Sequence, residues 1–398
     1  MAISRREFCA AAGATAIAAT QKLWAAENPS GRKIVAETDR RRILDSAQKY
    51  LTPEPVTITA SPAADTPGGP HDFYSQADYF WPDPNNPAGP YINRDGQSNP
   101  HNFNEHRRVM IDLSMRMPAL TAAWLLEKNP QYARRAGDYL RAWFVTPATR
   151  MNPNLEFAQG VHGVSTGRSY GIIDTLHLVE VARAASCLDS HALSSEEIQS
   201  VKQWFREYLN WMRTSEKGRQ ERAALNNHAT CWALQASEFA RLVGDETTRS
   251  EIHTWFTDTL LTNQLGPDGS FPRELTRTKP YSYSIFNFDV MAGLAQSLKG
   301  SGPKSLESDL TTFALPDGRG LCKAAEFLYP YLKDKSKWPY KKDVEHFDVL
   351  PVRSPGLLFA GLACHRQEYI ALWKTLNPDP TDRGIIRNYP IRQPLLWV

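Results

Sequence analysis

Two short stretches of this 398-residue sequence gather side chains that could do chemistry together. Leu225-Asn226-Asn227-His228-Ala229-Thr230-Cys231-Trp232 sets an amide beside an imidazole. Asp268-Gly269-Ser270-Phe271-Pro272-Arg273-Glu274-Leu275-Thr276-Arg277 ends on a guanidinium, and the phenols of Tyr281 and Tyr283 follow. An imidazole or a phenol can carry a proton to or from a reacting centre. An amide and a guanidinium can hold an anion, the guanidinium through a planar fork that matches a carboxylate. Each residue also has an ordinary structural use. Asparagines before a helix are N-caps, Asp268-Gly269 is a turn signal, and tyrosines pack at helix starts. A lone helical histidine is commonly a core residue with one nitrogen bonded, so it is the second stretch that raises the functional reading of His228.

The elements that must position these residues read as helices. Apolar residues recur at three- and four-residue spacing over 110–126 and 132–144, and again over 171–188, 194–212, 227–243 and 251–265. Further helical stretches are expected at 284–298, 320–332 and 357–376, and Ser194 with Glu197 fits a capping box. Strand-like alternation is scarce. Paired helices joined by loops predict an all-α fold, an (α/α) toroid or incomplete barrel with a central cleft, a generic helical bundle being the competing architecture. Residues 27–104 are rich in proline, glycine, asparagine and aromatics, and read as an ordered, loop-rich segment packing on a catalytic domain at 105–398. Before it, Ser4-Arg5-Arg6-Glu7-Phe8 and an alanine-rich apolar run make residues 1–26 a twin-arginine export signal. The expected location is therefore the periplasm or the exterior, with no membrane contact once the signal is removed.

Three motifs in order give a resemblance to the alginate lyase superfamily of helical-toroid polysaccharide lyases. The first is the helix-opening N-N-H-x-x-x-W at Asn226, the second D-G-S-x-P-x-E-x-x-R from Asp268 to Arg277 with Tyr283 six residues on. The third is Tyr79-Phe80-Trp81-Pro82-Asp83-Pro84, continuing to Arg94-Asp95-Gly96. The resemblance implies a catalytic set of Asn227, His228, Arg277 and Tyr283, an acidic polysaccharide as substrate, and no metal or cofactor. One departure is that the family pattern has one more residue between arginine and tyrosine. Tyr281 therefore stays open as a second candidate, with Tyr283 preferred because the following helix then matches without a gap.

The implied reaction is β-elimination from a 4-linked uronate. The C5 proton is α to a carboxylate, so its removal builds a second negative charge that Asn227 and Arg277 would stabilise. One tyrosine, its pKa lowered by Arg277 and His228, would take the C5 proton and return one to O4. His228 would neutralise the carboxylate, or act as base where the two leaving groups lie on opposite faces of the ring. Trp81, His106, Arg107, Arg108, His162, Arg168, Tyr170 and Tyr281 are the candidate substrate contacts. Two other readings remain open, a glycoside hydrolase using two of the many carboxylates across a cleft and a non-catalytic binder of acidic glycans. The formal net charge of +3, of which two units fall in the first 26 residues, gives no field suited to nucleic acid. Cys187, Cys231, Cys322 and Cys364 form no C-x-x-C and read as buried small hydrophobes, with a disulfide open.

Overall fold

The computed structural model describes residues 30–301 and 309–398; the expected export signal lies outside them. The architecture is mostly helical, in agreement with the toroid expected. Helices α1 (Gly31–Tyr50), α2 (Glu105–Glu127), α3 (Pro130–Leu140), α4 (Leu178–Ala185), α5 (Ser195–Thr214), α6 (Glu216–Arg222), α7 (Asn227–Val243) and α8 (Glu246–Trp255) are followed by α9 (Pro272–Leu275), α10 (Pro280–Ser297), α11 (Leu321–Lys333), α12 (Pro355–Ala363), α13 (Gln367–Thr375) and α14 (Arg383–Arg387). Helices pack α2 on α3, α5 on α7, α7 on α10 and α10 on α12.

The two helices at the centre differ from the rest. Every residue of α10 is buried and nearly all of α7 is, so neither shows an amphipathic stripe. A helix that is apolar all round belongs inside a core. Their ends are fixed by side chains. Asn226 caps α7 by accepting from the His228 amide, and Gly244, at φ 77°, closes it in the left-handed region that glycine enters without strain. α10 opens on Pro280 with no cap from Lys279, and Asp343 supplies one from afar by accepting from the amides of Tyr281 and Ser282. Ser194 and Glu197 form the expected capping box of α5.

Several expectations need correction. The segment 27–104 is not loop throughout, because α1 occupies 20 residues of it and packs on α2. Its buried side is only Ile34, Val35, Asp39, Ile43 and Ala47, too narrow a strip in a charge-rich stretch to register as periodicity. The helix expected over 357–376 is two, broken where His365 takes φ 56°. The stretch 171–188 divides into a 3-10 turn at Ser169–Thr175 and α4. Cys322 and Cys364 are not small hydrophobes but a disulfide joining α11 to the end of α12, while Cys231 is buried. Among the described residues there are four short strands. β1 (Tyr74–Gln76) pairs parallel with β4 (Phe157–Gly160), and β2 (Phe80–Trp81) pairs antiparallel with β3 (Ile92–Asn93). The first pairing ties the N-terminal segment to residues 157–160, and the second brings Phe80 and Asn93 to the groove of the candidate active site.

Candidate active site

A groove of about 250 Å³ opens where α7, α10 and the β2–β3 ribbon meet. Asn227, His228, Arg277 and Tyr283 all line it, together with Arg168 and Tyr170. The first two come from the start of α7, Arg277 from the link after α9, and Tyr283 from the first turn of α10.

Each of these side chains is held by a second group. The Glu274 carboxylate accepts from the Asn227 backbone amide at 2.7 Å and from its side-chain Nδ2 at 2.9 Å. Glu274 is fully buried, and that burial pushes its carboxyl above the usual range despite the donors around it. His228 Nδ1 lies 2.6 Å from Glu221 Oε1, a carboxylate on α6 that is only 1% exposed. With Nδ1 donating to Glu221, Nε2 is the nitrogen left for the groove. The Tyr170 ring packs 4.9 Å from the imidazole.

Arg277 donates to Asp95 Oδ1 at 2.9 Å, and Thr278 Oγ1 donates to the other oxygen. Burial, the largest effect, raises the Asp95 pKa, but the guanidinium outweighs it and keeps the group below the usual carboxylate range. Gly96 follows at φ 77°, and a Cβ there would sit 2.3 Å from Thr278 Oγ1, so a side chain would push this contact apart. The Arg277 guanidinium lies 4.9 Å over the Tyr283 ring. Tyr283 Oη shares a hydrogen bond of 2.8 Å with Tyr79 Oη. Burial drives the Tyr283 phenol well above its ordinary pKa, Tyr79 adds to this, and Arg277 opposes it without prevailing. The expectation of a lowered tyrosine pKa is thus reversed in the ligand-free protein, because desolvation of the ring outweighs one partly shared cation.

Arg168 is different from the other groove arginines. Arg277 pairs with Asp95 and Arg387 with Asp78, whereas Arg168 has no carboxylate within ion-pair distance among the described residues. It donates to the backbone and side-chain oxygens of Gln159, at 3.1 and 3.0 Å, and stacks between Phe80 and Tyr170. Burial lowers its pKa, and the more distant Asp174, Asp78 and Glu221 oppose this without prevailing. Gln159 presents that carbonyl from φ 51°, a strained conformation for a residue with a side chain.

Six expected substrate contacts lie outside the groove lining, three of them locked into the fold. Tyr281 is fully buried; its hydroxyl donates to Tyr331 O, and its ring packs on Trp338 and Phe347. Two residues on from Tyr281 turns a helix by about 200°, so only one of the pair can face the groove. His106 is locked between the Tyr74 amide and Ser61 O. Arg107, 4% exposed, bridges Asp78 and Asp174 behind the groove wall. Of the remainder, Trp81 stacks on Arg94 outside the groove lining, and Arg108 pairs with Glu105 and Asp112 at the solvated start of α2. His162 is exposed beside the Tyr91 ring. Sequence reasoning gave no site role to Tyr79, Glu221, Gln159 or Arg387. Tyr79 lies in a quoted motif and was within reach, whereas nothing local marks Glu221 or Arg387.

The sequence matches the family model described as alginate lyase over residues 57–338. Among solved structures the chain is similar to an alginate lyase from Bacteroides ovatus, at 29% identity, covering 94% of this chain and 98% of that one with a TM-score of 0.78. It also shares the fold of a histidine-to-alanine variant of alginate lyase A1-III complexed with tetrasaccharide, at 14% identity, 89% and 94% coverage and a TM-score of 0.54. Comparison with curated proteins gives no match. With more than half of its length matched by one family model and its whole helical ring shared with a solved member, the chain belongs to the alginate lyase family, as a polysaccharide lyase.

Proposed function

We propose that this protein is an exported lyase that cleaves a 4-linked polyuronate, polymannuronate or glucuronan in type, by β-elimination. The observation that carries the reading is the meeting of Asn227, His228, Arg277 and Tyr283, from stretches some fifty residues apart in sequence, around one groove that also holds an unmatched guanidinium. Arg168 takes a uronate carboxylate, since a half-buried guanidinium in the groove with no carboxylate at ion-pair distance is an anion site in waiting. Arg277 and the free N–H of the Asn227 amide hold the carboxylate of the sugar being cleaved, where charge develops as C5 loses its proton.

Tyr283 transfers the protons. The phenolate form takes the C5 proton, and the phenol so formed donates that proton to the departing O4 on the same face. Because burial raises its pKa, the phenolate is a minority species near neutrality and grows tenfold per pH unit; kcat/KM should therefore rise steadily into the alkaline range. Tyr79 keeps the phenol oriented through their shared hydrogen bond. A hydrolase would need a carboxylic acid poised to protonate the glycosidic oxygen. Both groove carboxylates, Asp78 and Asp95, are instead held ionised by arginines, which supports elimination. The Cys322–Cys364 disulfide suits an oxidising compartment and so supports export. The test is incubation with polymannuronate, polyguluronate, mixed alginate and glucuronan while following the ultraviolet absorbance of the conjugated double bond. New reducing ends without that absorbance would sink the proposal in favour of hydrolysis.

A further inference from the structure

Outside the groove, a dense positive run lies in the stretch from Lys333 to Asp343; the stretch 32–42 is equally charged, but there Lys33, Arg40, Arg41 and Arg42 pair with acids. The former holds five lysines against two aspartates, a net charge equal to that of the whole 398-residue chain. Asp343 is buried against the amides that open α10, and Asp334 faces Lys337 at 3.7 Å. Lys335 is spent on the carbonyls of Phe347, Asp348 and Leu350, which fixes the loop. Lys333, Lys341 and Lys342 are exposed and pair with no acid among the described residues. Between them Tyr340 is 39% exposed, its ring braced 5.0 Å from the buried Trp338, whose indole N–H donates to Lys341 O.

This strip adjoins the site. The Val344 amide donates to Thr278 O, and the Val344 side chain lies within 3.0 Å of the position a Gly96 Cβ would take. Thr278 and Gly96 are the chain neighbours of Arg277 and Asp95, which line the groove. Glu345 next door accepts from Lys279 and Ser98, tying the loop to both walls. Three residues of chain span at most about 10 Å, so Lys341 stands close to one Debye length, roughly 8 Å in physiological salt, from that wall.

We propose that Lys333, Tyr340, Lys341 and Lys342 form a docking strip for the polyuronate chain beyond the sugars held in the groove. The inference rests on the polyuronate reading above. The lysines face successive carboxylates and the Tyr340 ring packs on a sugar face. Binding there uses only contacts that a long polymer makes, so it acts on capture of the chain rather than on the elimination step.

The test compares the wild type with Lys333→Gln/Lys341→Gln/Lys342→Gln, and with Tyr340→Ala, on a polyuronate and on its trisaccharide. For the triple variant the polymer KM should rise roughly three- to tenfold, the size expected of a few exposed ion pairs, with a shallower salt dependence as fewer counter-ions are released. Trisaccharide kinetics should not move. Equal effects on both substrates, or none on the polymer, overturn the strip. If the wild type degrades no polyuronate, the functional reading fails, and the strip is judged by native electrophoresis through a polyuronate-containing gel. Stronger retardation of the wild type than of the triple variant upholds it, and equal retardation overturns it. Loss of co-sedimentation with anionic phospholipid vesicles, with polymer KM unchanged, would assign the strip to a membrane surface and overturn it as well.

Discussion

Glu221→Gln should cripple turnover while leaving the fold and substrate affinity nearly intact. Glu221 is 1% exposed, and its Oε1 sits 2.6 Å from His228 Nδ1. A buried carboxylate at that nitrogen fixes the tautomer, so that Nε2 faces the groove, and it balances the positive charge whenever the ring holds a second proton. At an effective dielectric of about 20, unit charges some 4 Å apart attract by about 4 kcal/mol before desolvation is counted. Net, a hydrogen bond to a charged group is worth about 1.5–3 kcal/mol. Glutamine keeps the shape, loses the charge, and can turn its amide to donate to Nδ1, which forces the opposite tautomer. The expected loss in kcat is therefore on the order of ten- to a hundredfold, with KM changed far less, because Arg168 and Arg277, the proposed carboxylate ligands, are untouched. The assay is initial-rate ultraviolet absorbance on the best polymer, paired with a thermal melt and with ring-nitrogen chemical shifts of His228 that report the tautomer. An unchanged kcat in a folded variant whose tautomer has switched would refute the reasoning. So would a loss of kcat with the tautomer unchanged.

Other outcomes follow from neighbouring contacts. Tyr283→Phe should lower kcat by about two to four orders of magnitude, the usual size of a lost proton-transfer group. Tyr281→Phe should retain turnover and lose about 1 kcal/mol of stability with its bond to Tyr331 O; activity lost only in the Tyr281 variant would reverse the assignment. Arg168→Ala should raise KM on the order of tenfold or more, and Arg168→Lys should recover little, since a single ammonium cannot both reach Gln159 and present a fork. An unchanged KM would mean that the unmatched guanidinium binds no substrate. A fourth outcome concerns pH. Burial pushes the Glu180 carboxyl up to about 7, beneath the backbone amides of Arg392 and Gln393. A carboxyl raised in the fold binds its proton more tightly there than in the unfolded chain, so its contribution is greatest at acid pH. That contribution declines as pH climbs from about 4.5 to about 7, a span worth at most about 3 kcal/mol. The melting temperature should fall over that range, and Glu180→Gln should flatten the fall; an unchanged slope would count against a raised Glu180.

How much of this was legible in the sequence depends on how far each residue acts along the chain. α7 was readable to its ends because its signals are local: Asn226 caps it, Gly244 stops it, and apolar residues fill the interval. α1 was missed because its buried strip is thin and its pairing is with α2, more than fifty residues on. The four side chains proposed for catalysis were legible as motifs, and so were the two arginine-and-aromatic contacts at Arg168 and Tyr170. His106 and Arg107 misled for one reason: a histidine and an arginine at a helix start look the same whether they face solvent, substrate or core. Asp78 and Asp174, the partners that make Arg107 structural, are 29 and 67 residues away.

The groups that hold the site are the least legible of all, and charge shows why. Four of the polar side chains at the groove already have a carboxylate: Arg277 has Asp95, Asn227 has Glu274, His228 has Glu221, Arg387 has Asp78. Every one of those partners is 7 or more residues distant and most are on another element, so no local spacing records them. Even a half-buried charge is costly without a close partner, and Arg168 is such a group in the groove. An anionic sugar entering there would gain from Arg168 what water no longer supplies, whereas a neutral sugar would leave the cation as it is. On the proposed reading the arrangement would select for a carboxylate before any proton moves, and substrates reduced at the carboxyl to the neutral sugar should compete poorly even as inhibitors.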